Sequence, residues 1–179
     1  ENAGYVVGRY ISPTIFTYLE RFQINGTYMD EDTFAVYLER VKNVADAMAA
    51  DGLNRPTSFE TETAIAFCYF MDKNVDILLL ETGMGGLLDA TNVCKSPLCT
   101  IIASISMDHT QFLGDTLQKI YSQKLGIMKK DVPCVAYPVN EDLMPQWIEK
   151  CDENATTGFS VMVNPSDIGI LHSGLDGSS

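Results

Sequence analysis

The run VDILLL at 75–80 stops abruptly at Glu81 and passes into a turn with glycines at Gly83, Gly85 and Gly86, followed by Asp89 and Asn92. A near-continuous stretch of valine, isoleucine and leucine fits a strand buried on both faces, as in a parallel sheet. In open α/β sheets the ligand sits beyond the carboxyl ends of such strands. A carboxylate at that end, with glycines that let a ligand approach the backbone, marks the edge where chemistry is expected.

The rest of the chain supplies alternating strands and helices. Residues 5–11 read as a strand broken by Ser12-Pro13, and 22–24 as a short strand closing on the turn signal Asn25-Gly26. Asp30 is a good N-cap for a helix in which Phe34, Tyr37, Leu38, Val41, Val44, Ala45 and Met48 recur at helical spacing until Gly52. A capping box, Thr57 to Glu60, opens a second helix carrying Ile65, Phe67, Cys68 and Met71. Residues 100–106 form an apolar strand ending in Met107-Asp108-His109. Then come a helix over 115–130 with its capping box at Asp115 and Gln118, a strand over 133–137, a helix over 140–150 and a polar loop over 152–158. The apolar stretch 168–171 begins a further strand. This order predicts an α/β fold with a largely parallel sheet flanked by helices. If the strands ending at Glu81 and at Asp108-His109 are parallel neighbours, both polar ends fall on one edge.

A chain of 179 residues buries a real core, and one domain over 1–179 is the default. The formal net charge of -12 argues against nucleic-acid binding through a basic patch. Anionic ligands would need local help from a metal, lysine or helix N-terminus. The five cysteines are odd in number and form no CxxC pair, so they read as reduced thiols of a cytoplasmic protein. No apolar run is long enough for a membrane span, and no signal peptide is visible. Both ends read as cut, and a piece of a larger protein is expected.

Two residues invite competing readings. Glu81 is either a strand-end acid capping its turn or a functional carboxylate, and beside His109 it would suit a shared divalent ion with positions left for water and phosphate oxygens. Lys124 falls inside the apolar stripe of Leu117, Ile120, Tyr121, Leu125 and Met128. It is either an amine snorkelling from the stripe's edge or a partly buried one with a lowered pKa. Periodicity leaves both open. The turn ETGMGG is not a dinucleotide or methyltransferase loop: Leu87 and Leu88 stand where a third glycine belongs, and 87–99 contains Pro97 and no helical pattern.

Ser12-Pro13, the segment RFQING at 21–26, TSFE at 57–60, GMGGLLDATN at 83–92, SISMDHTQFLGDT at 104–116 and QKLGIMKK at 123–130 come in a specific order and spacing. Together they resemble folylpolyglutamate synthases and dihydrofolate synthases of the Mur ligase superfamily. The similarity runs over about residues 3–138, with 139–179 as continuation of the same central domain. The resemblance implies an ATP-dependent ligase. ATP phosphorylates a carboxylate of a folate or pteroate substrate, and L-glutamate attacks the acyl phosphate. It implies that Ser12, Glu81 and His109 are Mg2+ ligands, and that Lys124, with His109, is a catalytic residue, the lysine carbamylated as is common in the family. Thr57, Phe59 and Asp89 resemble the pterin-side contacts. The chemistry is positioning and charge neutralisation at a transferring phosphoryl group.

The departures have consequences. The family's Ser-Pro-His-Leu reads Ser12-Pro13-Thr14-Ile15, and its usual arginine is Leu87. No GxxGK[ST] phosphate loop occurs in the chain, so the 179 residues alone are expected to be inactive. A non-catalytic pterin- or partner-binding paralogue is the alternative. A cell-wall Mur ligase is disfavoured by GMGGLLDATN and DHTQFLGDT.

Overall fold

The computed structural model describes residues 1–137, 140–160, 173–174 and 177–178. The chain divides into two compact units, Glu1–Cys94 and Lys95–Ser179.

In the first unit, β1 (Val7–Tyr10), β2 (Phe22–Ile24), β3 (Thr27–Tyr28) and β4 (Ile77–Leu80) form a sheet in the order β3-β2-β1-β4. Pairing is antiparallel from β1 through β3 and parallel between β1 and β4, with Gly8 opposite Leu78. Asn25 and Gly26 both take positive φ, 47° and 73°, as the tight β2–β3 turn requires. Helices α1 (Glu31–Ala50) and α2 (Ser58–Asp72) pack together over the sheet. Their caps follow the sequence: Asp30 accepts from the Thr33 amide at 2.8 Å, and Thr57 and Glu60 exchange the reciprocal bonds of a capping box. On α1 the buried stripe narrows to Tyr37, Val41 and Ala45, four residues apart, leaving Leu38 and Val44 in water. Tyr37 and Val41 join Tyr10, Phe22, Ile65, Ala66, Tyr69 and Phe70 in one core. Each fully buried large side chain contributes about 1.5–3 kcal/mol of transfer free energy. Gly8 is required by that packing, because a Cβ there would lie 2.9 Å from the Phe70 ring.

In the second unit, β5 (Thr100–Ile102), β6 (Cys134–Ala136) and β7 (Gly158–Ser160) form a parallel sheet. Helices α3 (Thr110–Leu113), α4 (Leu117–Leu125) and α5 (Met144–Glu153) accompany it, and β8 (Ser173–Gly174) and β9 (Gly177–Ser178) pair separately. Tyr121 and Leu125 of α4 and Trp147 of α5 pack on Ile102, Cys134 and Ala136. A Cβ at Gly158 would meet Cys151 Sγ at 2.6 Å and the Trp147 ring at 2.7 Å, so α5 rests directly on β7.

Several boundaries differ from the sequence reading. The strand over 100–106 ends at Ile102. The fourth helix starts at Leu117, not Asp115: Thr116 caps it through the Lys119 amide at 3.3 Å, while Asp115 pairs with the Lys119 ammonium. Two acceptors competed there, and the hydroxyl lay one residue closer. The polar 152–158 stretch contains the end of α5 and leads into β7, which the sequence pattern did not signal. The strand expected at 168–171 lies outside the described residues.

The larger difference concerns β4. Among the described residues it pairs only with β1, and β5 only with β6. The strand pairing expected to bring Glu81 beside Asp108-His109 is not among the ladders of the described residues. Between β4 and β5 the chain carries the 3-10 turn Ala90–Val93. Leu79, in a strand read as buried on both faces, is 54% exposed.

Candidate functional site

The amide of Glu81 donates to the Tyr10 carbonyl at 2.9 Å, continuing the β1–β4 ladder one residue beyond β4. This fixes Glu81 at the carboxyl end of two parallel strands. Its Oε2 accepts the Ser12 amide at 2.9 Å, drawing in the chain just past β1, where the Ser12-Pro13 bond is cis. Two of the residues assigned to the metal from the sequence are thus in contact.

The loop leaving Ser12 is held in an unusual way. Among the described residues, 12–16 makes no backbone–backbone hydrogen bond. Instead Glu20 Oε2 accepts the amides of Phe16, Ile15 and Thr17 at 2.8, 3.1 and 3.3 Å. Glu20 is 6% exposed, and the Phe16 amide, followed by those of Ile15 and Thr17, holds its carboxyl below the usual range. The loop tip, Ile15 and Phe16, is 80% and 85% exposed. The next turn, Tyr18–Arg21, is locked to α2 by Glu62: the Tyr18 hydroxyl donates to Oε1 at 2.6 Å and Arg21 Nη1 donates to Oε2. The Arg21 guanidinium also lies 4.4 Å from the Tyr18 ring centroid. Burial, then the Glu62 hydrogen bond and charge, push the Tyr18 phenol up to about 12.

The glycine turn is built around Phe59 and Asp89. A Cβ at Gly83 would meet the Phe59 ring at 2.4 Å, so the start of α2 supports the turn directly. Asp89 closes it by accepting the amides of Met84 and Thr91, each at 2.9 Å, and the Thr91 hydroxyl at 2.6 Å. The residues assigned to substrate from the sequence therefore have internal roles. Thr57 caps α2, Phe59 fills space beneath Gly83, and Asp89 shapes the loop.

His109 and Lys124 belong to the second unit. His109 takes a left-handed φ of 49° before α3, its amide donates to Asp108 Oδ1 at 2.7 Å, and its ring Nε2 lies 3.7 Å from Asp108 Oδ2. Lys124 is half-buried on α4 between buried Tyr121 and Leu125. Among the described residues, no three His, Cys, Asp or Glu side chains gather as a metal site. One small cavity of the second unit, about 60 Å³, has Ser104, Tyr137 and Asn140 in its lining and none of the assigned residues.

Sequence reasoning missed Glu20 and Glu62. For Glu20 a signal existed: Thr17 and Glu20 stand at capping-box spacing. Glu62 carried none, because the partners of an acid in a helix interior are set by tertiary packing.

No family model matches the chain. Curated relatives do. The dihydrofolate synthase/folylpolyglutamate synthase of Bacillus subtilis is 40% identical over 75% of this chain and 31% of its own length. A probable dihydrofolate synthetase of Schizosaccharomyces pombe is 41% identical over 78% and 33%. Among solved structures, a Thermotoga maritima folylpolyglutamate synthase superposes with a TM-score of 0.79 at 34% identity, over 88% of this chain and 35% of that one. A folylpolyglutamate synthase complex with AMPPCP and folate superposes at 0.83 with 27% identity, over 88% and 38%. The α/β fold, with a parallel sheet flanked by helices, thus matches part of these folylpolyglutamate synthase structures. Over most of its length the chain is similar to folylpolyglutamate synthases and dihydrofolate synthases. It spans about a third of the length of the curated relatives it matches.

Proposed function

We propose that the chain is part of an ATP-dependent ligase that joins L-glutamate to a folate or pteroate carboxylate through an acyl phosphate, both units serving one central domain. The observation that carries this reading is the Ser12–Glu81 contact at the carboxyl end of β1 and β4, within a fold shared with folylpolyglutamate synthases, one of them solved with AMPPCP and folate.

In this reading Ser12 and Glu81, joined by His109, hold Mg2+. The adjacent oxygen donors suit a hard cation that takes one or two carboxylates and keeps the remaining positions for water and phosphate oxygens. When bound, the ion neutralises charge on the transferring phosphoryl group. Glu81 Oε2 keeps the Ser12 amide, which leaves Oε1 for the cation. Lys124, half-buried on α4, is the catalytic lysine, and its carbamylation remains part of the proposal. Thr57, Phe59 and Asp89 shape the pterin side by holding the glycine turn in place. The phosphate cradle is supplied by sequence other than these 179 residues, which contain no GxxGK[ST]. The five free thiols accord with a cytoplasmic location.

The test is to read the parent gene upstream of Glu1 and assay its product. A phosphate loop, with ADP release that requires folate and glutamate and is lost in Glu81→Ala, supports the ligase. A parent without the loop, binding pterin but releasing no ADP, supports the non-catalytic paralogue. ADP release by the 179-residue chain alone would overturn the expectation that it is inactive.

A further inference from the structure

The 12–17 loop owes its course to two carboxylates that lie outside it. Glu81 holds the Ser12 amide at one end, and Glu20 gathers the Ile15, Phe16 and Thr17 amides at the other. With no backbone–backbone bond inside 12–16, the loop has no second framework to fall back on. Glu20 is itself fixed. Its carbonyl accepts a hydrogen bond from the buried Gln23 side chain, and the Arg21–Glu62 pair ties the following residue to α2.

We propose that Glu20 is the positioning residue for the Ser12–Glu81 pair, so that order in the 12–17 loop and divalent-cation binding at Glu81 are one coupled equilibrium. This rests on the metal reading given above. The Ser12 amide occupies one oxygen of Glu81 and thereby orients the other. A loop released at 15–17 lets Ser12 drift, and Glu81 then pays the ordering entropy on binding the cation. Coupling of this kind is reciprocal: what orders the loop tightens the cation, and the cation orders the loop to the same degree.

Two substitutions separate position from charge. Glu20→Gln keeps the reach and a carbonyl oxygen to accept the amides but removes the charge. Glu20→Asp keeps the charge but shortens the side chain, so its oxygen no longer reaches all three amides. Mn2+ is the probe, titrated into the 179-residue chain, with amide exchange read at residues 12 and 15–17 and at the α1 core as a folding control. The expected result is that Glu20→Asp loses protection at 15–17 and weakens Mn2+ binding by roughly tenfold, while Glu20→Gln stays closer to wild type in both. In wild type, Mn2+ should raise protection at these amides. The reverse order, Asp close to wild type and Gln weakened, would show a through-space charge effect and overturn the positioning role. Loss of protection in Glu20→Asp with unchanged Mn2+ affinity would overturn the coupling and leave the metal reading intact. Failure of wild type to bind any Mn2+ that Glu81→Gln removes would overturn the metal reading itself, and the coupling with it.

Discussion

The Phe59 ring occupies the space that a side chain at Gly83 would need, at 2.4 Å from the position of its Cβ. The first turn of α2 and the turn after β4 therefore fit as a matched pair. Gly83→Ala should destabilise the fold by about 1–3 kcal/mol through overpacking. Combining it with Phe59→Leu should recover part of that loss. Denaturant unfolding of the two single variants and the double variant checks this, and strict additivity would exclude the contact as the cause.

The Arg21–Glu62 pair is nearly buried, with side chains 12% and 11% exposed. Arg21→Ala leaves a buried carboxylate without its cation and should cost about 3 kcal/mol or more. Glu62→Gln makes a second, spectroscopic prediction. The Tyr18 phenol now sits at about 12, by burial first and by Glu62 second. Removing the charge should lower its ultraviolet titration midpoint while leaving it above the ordinary 10.0.

Among the carboxylates that make the first unit sensitive to acid, three are held by backbone amides. Glu20 is held down chiefly by the Phe16 amide, Asp30 by the Thr33 amide and Glu60 by the Thr57 amide. All three bind protons more readily in the unfolded chain, with its ordinary values of 4.5, 3.8 and 4.5, than in the folded one. Their stabilisation is thus complete above these values and is lost as pH falls through the lower folded ones. Unfolding measured against pH should show this decline, and Glu20→Gln should flatten it. Asp30→Ala should independently lower stability at neutral pH by taking away the cap of α1.

The cysteines should divide by environment. Burial pushes the Cys134 thiol up to about 11, whereas Cys99 is exposed. The thiolate is the reactive form, so an alkylating agent should modify Cys99 first in the folded chain and reach Cys134 only on unfolding. Mass spectrometry of the alkylated peptides reads the order directly.

What the sequence disclosed, and what it did not, follows the range of each interaction. The caps at Asp30 and Thr57 and the Asn25-Gly26 turn are local, and their residues stand where the structure uses them. The end of β4 at Glu81 was legible because an apolar run stops there. Strand pairing was not, because neighbours depend on contacts far along the chain: β4 pairs with β1, 70 residues upstream. The bond between Ser12 and Glu81 spans 69 positions, and neither residue signals the other through any local pattern. Asp89 shows the opposite case, since the motif marked it for a ligand and its oxygens are engaged by the turn itself.

Because the 12–17 loop is shaped by acids at 20 and 81, the instructions for its path are stored elsewhere in the chain. Its two most exposed side chains, Ile15 and Phe16, contribute nothing to that path except their amides. They are interchangeable lettering on a fixed bracket. Substituting them with other non-proline residues should rewrite what the tip presents while the bracket keeps its form.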